Sequence, residues 1–178
     1  SGTVNTVAST GTKVGPQFKR TFPAIEAYVR TYISSSVIKQ GDKVFDEPRI
    51  LFADDPFFKV FSFKLVDGNA ATALDAPDKL VLTRSMARKY FGNENAINKT
   101  LNVIGRDMTV SAVCEDAPQN SQLKFDFVTQ FLNLSNLWVG AHDWELIQFK
   151  IIWRRDHADT CLHLKKRGKG GYLARQAG

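Results

Sequence analysis

The stretch Leu80–Cys114, LVLTRSMARKYFGNENAINKTLNVIGRDMTVSAVC, decides the fold. Leu80-Val81-Leu82 is apolar, too short for a helix, and preceded by Pro77-Asp78, so it reads as a buried strand. Thr83 follows as a helix N-cap, because its hydroxyl can accept from the free backbone N–H groups two or three residues on. Met86, Ala87, Tyr90 and Phe91 then recur at helical spacing as one apolar stripe, with Arg84, Arg88 and Lys89 lying off it. Gly92 falls where the stripe stops, the place for a left-handed C-terminal cap. Leu101 and Val103 alternate with Asn102, and Met108, Val110, Ala112 and Cys114 alternate with Thr109, Ser111 and Val113. With a turn at Gly105-Arg106-Asp107 between them, these two runs predict a hairpin.

Upstream, Pro16–Phe22 reads as a short helix ended by Pro23, and Ala27–Ser35 as a strand with Tyr28, Arg30 and Tyr32 on one side. Gly41-Asp42 is a turn signal. Lys43–Asp46 and Arg49–Ala53 flank Glu47-Pro48 and predict a further hairpin. Asp55 has the position of a helix cap before Pro56, whose missing N–H costs nothing at a first helical position. Phe57, Phe58, Val60 and Phe61 cannot all face water, so that short helix is a packing anchor, the alternative being an exposed aromatic patch. Asn69 predicts a cap for a small helix over Ala70–Leu74. Downstream, Glu115–Gln122 is a polar loop, Lys124–Phe131 a strand with Phe125, Phe127, Thr129 and Phe131 inward, and Leu132–Leu137 a helical turn.

Hairpins interrupted by single helices, without regular strand–helix alternation, argue an α+β fold: mixed, largely antiparallel sheet with short helices. The chain has 178 residues, 43% hydrophobic and 24% charged, which suits one globular domain or two small ones sharing a core. Thirteen phenylalanines predict a core of large flat side chains. No apolar run approaches the ~18 residues that span a bilayer. Ser1-Gly2 reads as a trace of tag removal, and the chain as a piece of a longer protein.

The formal net charge is +6, but residues 154–178 hold seven Lys or Arg and two Asp, which leaves the first 153 residues with only +1. The basic balance therefore belongs to the tail. Nucleic-acid binding wants a basic face across a folded surface, and the body lacks one. Cys114 continues the Met108-Val110-Ala112 face and reads as a small core residue. A bridge to Cys161 is open to an exported domain, but the spacing does not argue for it.

Candidate chemistry is sparse. His157, Asp159, Cys161 and His163 form H-x-D-x-C-x-H, and in one strand they would share a face, where neighbouring members could chelate zinc or copper. They are the weak metal candidates. Against them, no second ligand cluster exists to close a tetrahedron, so no cofactor is expected. There is no G-x-x-x-x-G-K-[ST] phosphate loop, which excludes the ATPase itself, and no G-x-S-x-G or H-E-x-x-H. All three histidines, 142, 157 and 163, lie beyond the central block, leaving it no histidine base for a nucleophile. Asp54-Asp55 and Glu115-Asp116 are explained as a helix cap and a solvated loop. Arg84, Arg88 and Lys89 are a solvated helix face, with an anionic-partner site as the sharper alternative.

LVLTRSMARKYFGNENAINKTLNV, with the hairpin and EDAPQNSQLKFDF after it and ILFADDPFFKVFSFKLVDGNAATAL and FPAIEAYVR before it, resembles the extracytoplasmic domain of MacB-type and FtsX-like ABC transporter permeases. FFKVFSF and KFDF are most similar to the Bacteroidetes versions. The resemblance covers about Pro16 to Leu134, and its motifs are structural rather than catalytic. It implies two lobes, an outer mixed-strand lobe inserted into one nearer the membrane. It also implies a non-catalytic part of an inner-membrane permease, lying in the periplasm and coupling cytoplasmic ATP hydrolysis to export or release of a substrate. The implied partners are the protein's own membrane helices, a second permease copy, a cytoplasmic ATPase subunit, and a periplasmic adaptor or lipoprotein. A soluble periplasmic module binding a peptide or lipoprotein is the alternative. The expected layout is 1–15 as linker or first strand, 16–135 as the domain, and 136–178 as its end and a basic, mobile tail. From about Trp138 the family pattern fades, so either the chain was cut early or its end is altered, as a shifted reading frame would alter it.

Overall fold

The computed structural model describes residues 14–21, 27–121, 123–137, 150–155, 158–160, 162–167 and 171–176. The chain forms two compact units, one made of residues 1–30 with 141–178 and the other of residues 31–140. The helices are short and most of the described chain is strand, as an α+β reading requires.

The larger unit grows from the predicted block. β4 (Lys79–Thr83), helix α3 (Arg84–Phe91), β5 (Thr100–Val103) and β6 (Arg106–Cys114) stand where the sequence pattern put them. Thr83 Oγ1 accepts from the Met86 N–H at 3.4 Å. Gly92 takes φ +64° with its N–H on the Arg88 carbonyl, so the helix does end on a positive-φ glycine, although its ψ of −123° is extended rather than left-handed helical. The turn of the β5–β6 hairpin lies one residue earlier than expected. Val103 pairs with Arg106, and the two turn residues are Ile104 at φ +57° and Gly105 at φ +72°, a two-residue turn with both centres at positive φ.

Around this block the strands pair in a closed circuit, β2–β7–β4–β6–β5–β1 and back to β2. Here β1 is Ala27–Gln40, of which Thr31 onward belongs to this unit, β2 is Lys43–Ala53 and β7 is Phe127–Gln130. Two of the six pairings, β2–β7 and β4–β6, are parallel and four are antiparallel. β3 (Leu65–Gly68) adds to β6 beside Ala112–Cys114. Closure pairs the hydrogen-bonding edges of the circuit strands. It encloses Ile38, Leu80, Leu82, Leu101, Met108, Val110 and Phe127 at 0–1% exposure.

Three sequence expectations change here. β2 is one strand, not two around a Glu47-Pro48 turn; the hairpin is β1–β2, turning at Gly41-Asp42. The register passes from Ser34–Ile50 to Ser36–Glu47, so Ser35 alone faces Pro48 and Arg49 in a bulge, the device that lets a strand carry a proline without an N–H. β7 is shorter than predicted, pairs along both edges with β2 and β4, and is buried on both faces at Phe127, Val128 and Thr129; Phe131 already begins a 3-10 turn, followed by α4 (Leu134–Leu137). Residues 70–74 are turns, not a helix: Asn69 Oδ1 accepts from the Ala71 N–H at 2.8 Å, an Asx turn.

The aromatic helix α2 (Phe57–Val60) is the expected anchor. Phe57 is fully buried and its ring meets those of Phe58, Phe61, Phe63 and Phe125 at centroid distances of 4.7–5.8 Å. Its predicted cap fails. Pro56 occupies the N-cap, no side chain caps the helix, and Asp55 Oδ1 is buried without a hydrogen-bond partner. The turn region 70–78 is tied down from the sheet: Ser111 Oγ donates to the Ala73 carbonyl at 2.6 Å, Gln130 Nε2 to that of Leu74 at 3.0 Å, and Asn133 Nδ2 to that of Pro77 at 2.6 Å.

The smaller unit contains α1 (Val14–Thr21), close to the predicted Pro16–Phe22 helix; Phe22 and Pro23 lie outside the described residues. It also contains β8 (Lys150–Arg155) paired antiparallel with β9 (Ala158–Thr160), and β10 (Leu162–Arg167) paired antiparallel with β11 (Gly171–Gln176).

Candidate functional site

The four metal candidates do not form one strand. Asp159 is in β9 and His163 in β10, strands of different sheets, while His157 and Cys161 lie outside the described residues. Among the described residues no three His, Cys, Asp or Glu side chains gather at a metal-holding distance. Cys114 is buried on the predicted β6 face, and its proposed partner Cys161 is outside the described residues. Burial, then the charge of Asp116, pushes the Cys114 thiol up to about 12, which makes it inert rather than nucleophilic.

The polar groups concentrate around α3. Its apolar stripe faces inward, with Tyr90 buried, and its basic residues face out, as the pattern predicts. Two of those bases are paired, however. Arg84 Nη2 donates to Glu115 Oε1 at 2.9 Å, and Lys89 Nζ donates to Glu47 Oε1 at 2.6 Å. The loop expected to be merely solvated therefore works at the helix start: the Ser85 N–H and Oγ both donate to the Asp116 carboxylate, at 3.2 and 2.9 Å. A carboxylate is well placed there, since it meets free N–H groups and the positive end of the helix dipole.

Among the described residues Glu47 is the most deeply buried charge, at 3% exposure. The Tyr90 hydroxyl donates to the same Oε1 at 2.6 Å, Gln40 Nε2 donates to the Tyr90 carbonyl at 2.8 Å, and Phe45 packs edge-on against the Tyr90 ring at 5.0 Å. Burial first, and then the hydrogen bond and charge of Glu47, push the Tyr90 phenol above its ordinary range. A second buried carboxylate, Asp126, receives a two-toothed grip from Arg49, Nε to Oδ2 and Nη2 to Oδ1, both 2.8 Å. Backbone bonds link the same two segments, Asp126 N–H to the Arg49 carbonyl at 2.9 Å.

Sequence reasoning missed both clusters. Glu47 was assigned to a turn because Pro48 follows it. Asp126 was assigned to the solvent side of an alternating strand, although its place between two phenylalanines, Phe125 and Phe127, is the signal that could have exposed it. Both acids are spent on joining β2 to its neighbours. The arrangement holds elements together; the two groups displaced furthest in pKa, a thiol and a phenol, are both driven away from reactivity.

Among the described residues no helix is long and apolar enough to cross a membrane. No curated protein matches the sequence. Several solved structures share the fold. A domain of a permease protein from Porphyromonas gingivalis superposes with a TM-score of 0.66 at 23% identity, over 85% of this chain and 71% of that one. The periplasmic region of MacB from Actinobacillus actinomycetemcomitans gives 0.62 at 18% identity, over 84% and 66%. The extracellular domain of the noncanonic ABC-type transporter YknZ from Gram-positive bacteria gives 0.60 at 15%, over 85% and 76%. At these identities the likeness is one of fold. The sequence itself matches the MacB-like periplasmic core domain over residues 2–152, and the chain therefore belongs to the MacB-like periplasmic core domain family.

Proposed function

We propose that this chain is the periplasmic part of an inner-membrane ABC transporter permease. It passes the motion driven by cytoplasmic ATP hydrolysis to the export or release of a substrate, and does no bond chemistry of its own. The observation that carries the reading, beside the family, is that the described parts of residues 1–30 and 141–178 fall in one unit while those of 31–140 form the other. A domain inserted between two membrane helices needs its two end segments together. The rest suits a mechanical part. The larger unit is a closed strand circuit around a phenylalanine-rich core, and close-packed interiors transmit displacement rather than absorb it. In this reading residues 16–135 are the body of the domain, 1–15 its link from one membrane helix and 136–178 its basic return. The partners are a second permease copy, an ATPase subunit, and a periplasmic adaptor or lipoprotein.

The test uses the full-length parent protein in its own membrane. Antibody against this domain should find it in the membrane fraction after carbonate extraction. Replacing residues 31–140 by a flexible linker should leave ATP hydrolysis by the purified complex and abolish export. Recovery as a soluble periplasmic protein would instead support the peptide- or lipoprotein-binding module. Unchanged export in the linker variant would overturn the mechanical role.

A further inference from the structure

The β1–β2 hairpin consists of two pieces with different anchorage. At its base, Thr31–Ser34 pair with Ile50–Ala53, and Ile50–Ala53 are paired on their other side with β7. Arg49 grips Asp126 at the same level. Beyond the bulge, Ser36–Gln40 pair with Lys43–Glu47, and within the larger unit β5 adds a seam of two residue pairs, Ile38–Val103 and Lys39–Asn102. The inner face of this outer piece carries Ile38, fully buried, with Phe45 and Glu47. Its polar hold on α3 runs to two adjacent helical residues, Lys89 and Tyr90. Tyr90 and Lys89 both donate to Glu47 Oε1, and Gln40 donates to the Tyr90 carbonyl.

We propose that Ser36–Glu47 is a hinged strap, which swings off β5 and α3 as one paired piece about Ser35 and Pro48-Arg49, with Glu47 as its latch. The hinge lies where bending breaks the fewest bonds. A bulge leaves residues out of the ladder, and Pro48 has no N–H to contribute. The five residue pairs within the strap survive the swing; what is lost is the two-pair seam, the two bonds to Glu47, the Gln40–Tyr90 bond and the Phe45–Tyr90 ring contact. Opening uncovers the apolar underside of Ile38 and the β5 edge at Val103. Strap opening does not depend on the permease reading, and concerns the larger unit alone.

The native Cys114, fully buried in β6, serves as a reference thiol in the body. A chain carrying Cys161→Ser and Ile38→Cys has two buried thiols, one beneath the strap and one away from it. Their reaction with a small thiol reagent under native conditions is followed by peptide mass spectrometry, with and without Glu47→Gln. The thiol introduced by Ile38→Cys is expected to react faster than Cys114, each rate taken relative to that of the unfolded chain. Glu47→Gln should speed the introduced thiol about ten- to a hundredfold, the range for losing a hydrogen-bonded charge, and leave Cys114 within about twofold. Equal acceleration of both thiols would mean global unfolding, and no acceleration would mean that Glu47 latches nothing; either result overturns the proposal. If Ile38→Cys does not fold, hydrogen exchange of the chain with Glu47→Gln alone decides. Faster exchange confined to the amides of the β1–β5 seam supports the hinge, and any other distribution, including faster exchange within the strap's own ladder, rejects it.

Discussion

Gly68 offers a test in which the structure sets the magnitude. It ends β3 at φ +92°, and a Cβ built there would lie 2.6 Å from the Ser111 carbonyl oxygen and 2.6 Å from Ala112 Cβ, where ordinary contact begins at 3.4 Å. The obstacles are backbone and a methyl in the middle of β6, so they cannot rotate away. For Gly68→Ala, relief requires β3 to retreat by about 0.8 Å. That stretches an inter-strand N–H···O bond from ~2.9 to ~3.7 Å, past the useful limit. Losing one or two such bonds costs about 1–2 kcal/mol, and an L-residue at positive φ adds about 1–2 kcal/mol. Gly68→Ala should therefore destabilise by roughly 2–4 kcal/mol. The control is Gly105→Ala, at φ +72° with nothing within 4 Å of its Cβ, which carries only the backbone term of about 1–2 kcal/mol. Urea denaturation followed by circular dichroism gives both values. If Gly68→Ala proved no more costly than Gly105→Ala, the packing of β3 on β6 described here would be wrong.

Other perturbations probe other levels of the structure. Ile104 is a β-branched residue at φ +57°, a conformation such side chains avoid, so Ile104→Asn should raise stability by about 0.5–1 kcal/mol, read as a higher urea midpoint. Arg49→Met leaves the Asp126 carboxylate buried and unpaired; because the Arg49 side chain is 49% exposed, the loss should be about 1–3 kcal/mol, below that of a wholly buried pair. The raised Tyr90 phenol makes the folded state bind a proton that the unfolded state has released above pH ~10, so its contribution to stability is complete below that pH and falls above it. Denaturation from pH 9 to 11 should show this decline, and Tyr90→Phe should flatten it. Phe57→Ala, at the centre of five rings, should cost about 3–5 kcal/mol; a loss below about 1 kcal/mol by the same urea assay would mean that α2 is not an anchor.

The elements legible in the sequence were those whose cause is local. β4, the Thr83 cap, the α3 stripe and the alternation of Met108, Val110, Ala112 and Cys114 follow from hydrophobic period and capping chemistry, which neighbours in sequence supply. Where the reading slipped, a distant contact had overruled a local signal. Pro48 marks a turn by propensity, but the pairing of β2 with both β1 and β7 carries the strand through it and turns the proline into a bulge. Asp55 has the place of a cap, yet the start of α2 is set by backbone bonds, such as the Phe57 N–H to the Asp54 carbonyl at 3.0 Å. Lys124–Phe131 alternates like a strand with one wet face, but Phe127, Val128 and Thr129 are all buried, so β7 has none.

The same division holds for the candidate site. The α+β class and the lack of a phosphate loop were legible in the sequence, because the order of local elements and short motifs carry that information, and the family was legible as a resemblance. Which charges matter was decided by tertiary structure. Glu47 lies 42 residues from Lys89, and Arg49 lies 77 from Asp126, separations over which no periodicity operates. A buried carboxylate is tolerated only where distant donors converge on it. Only the closed strand circuit brings those donors to Glu47 and Asp126, and with them the latch and the hinge.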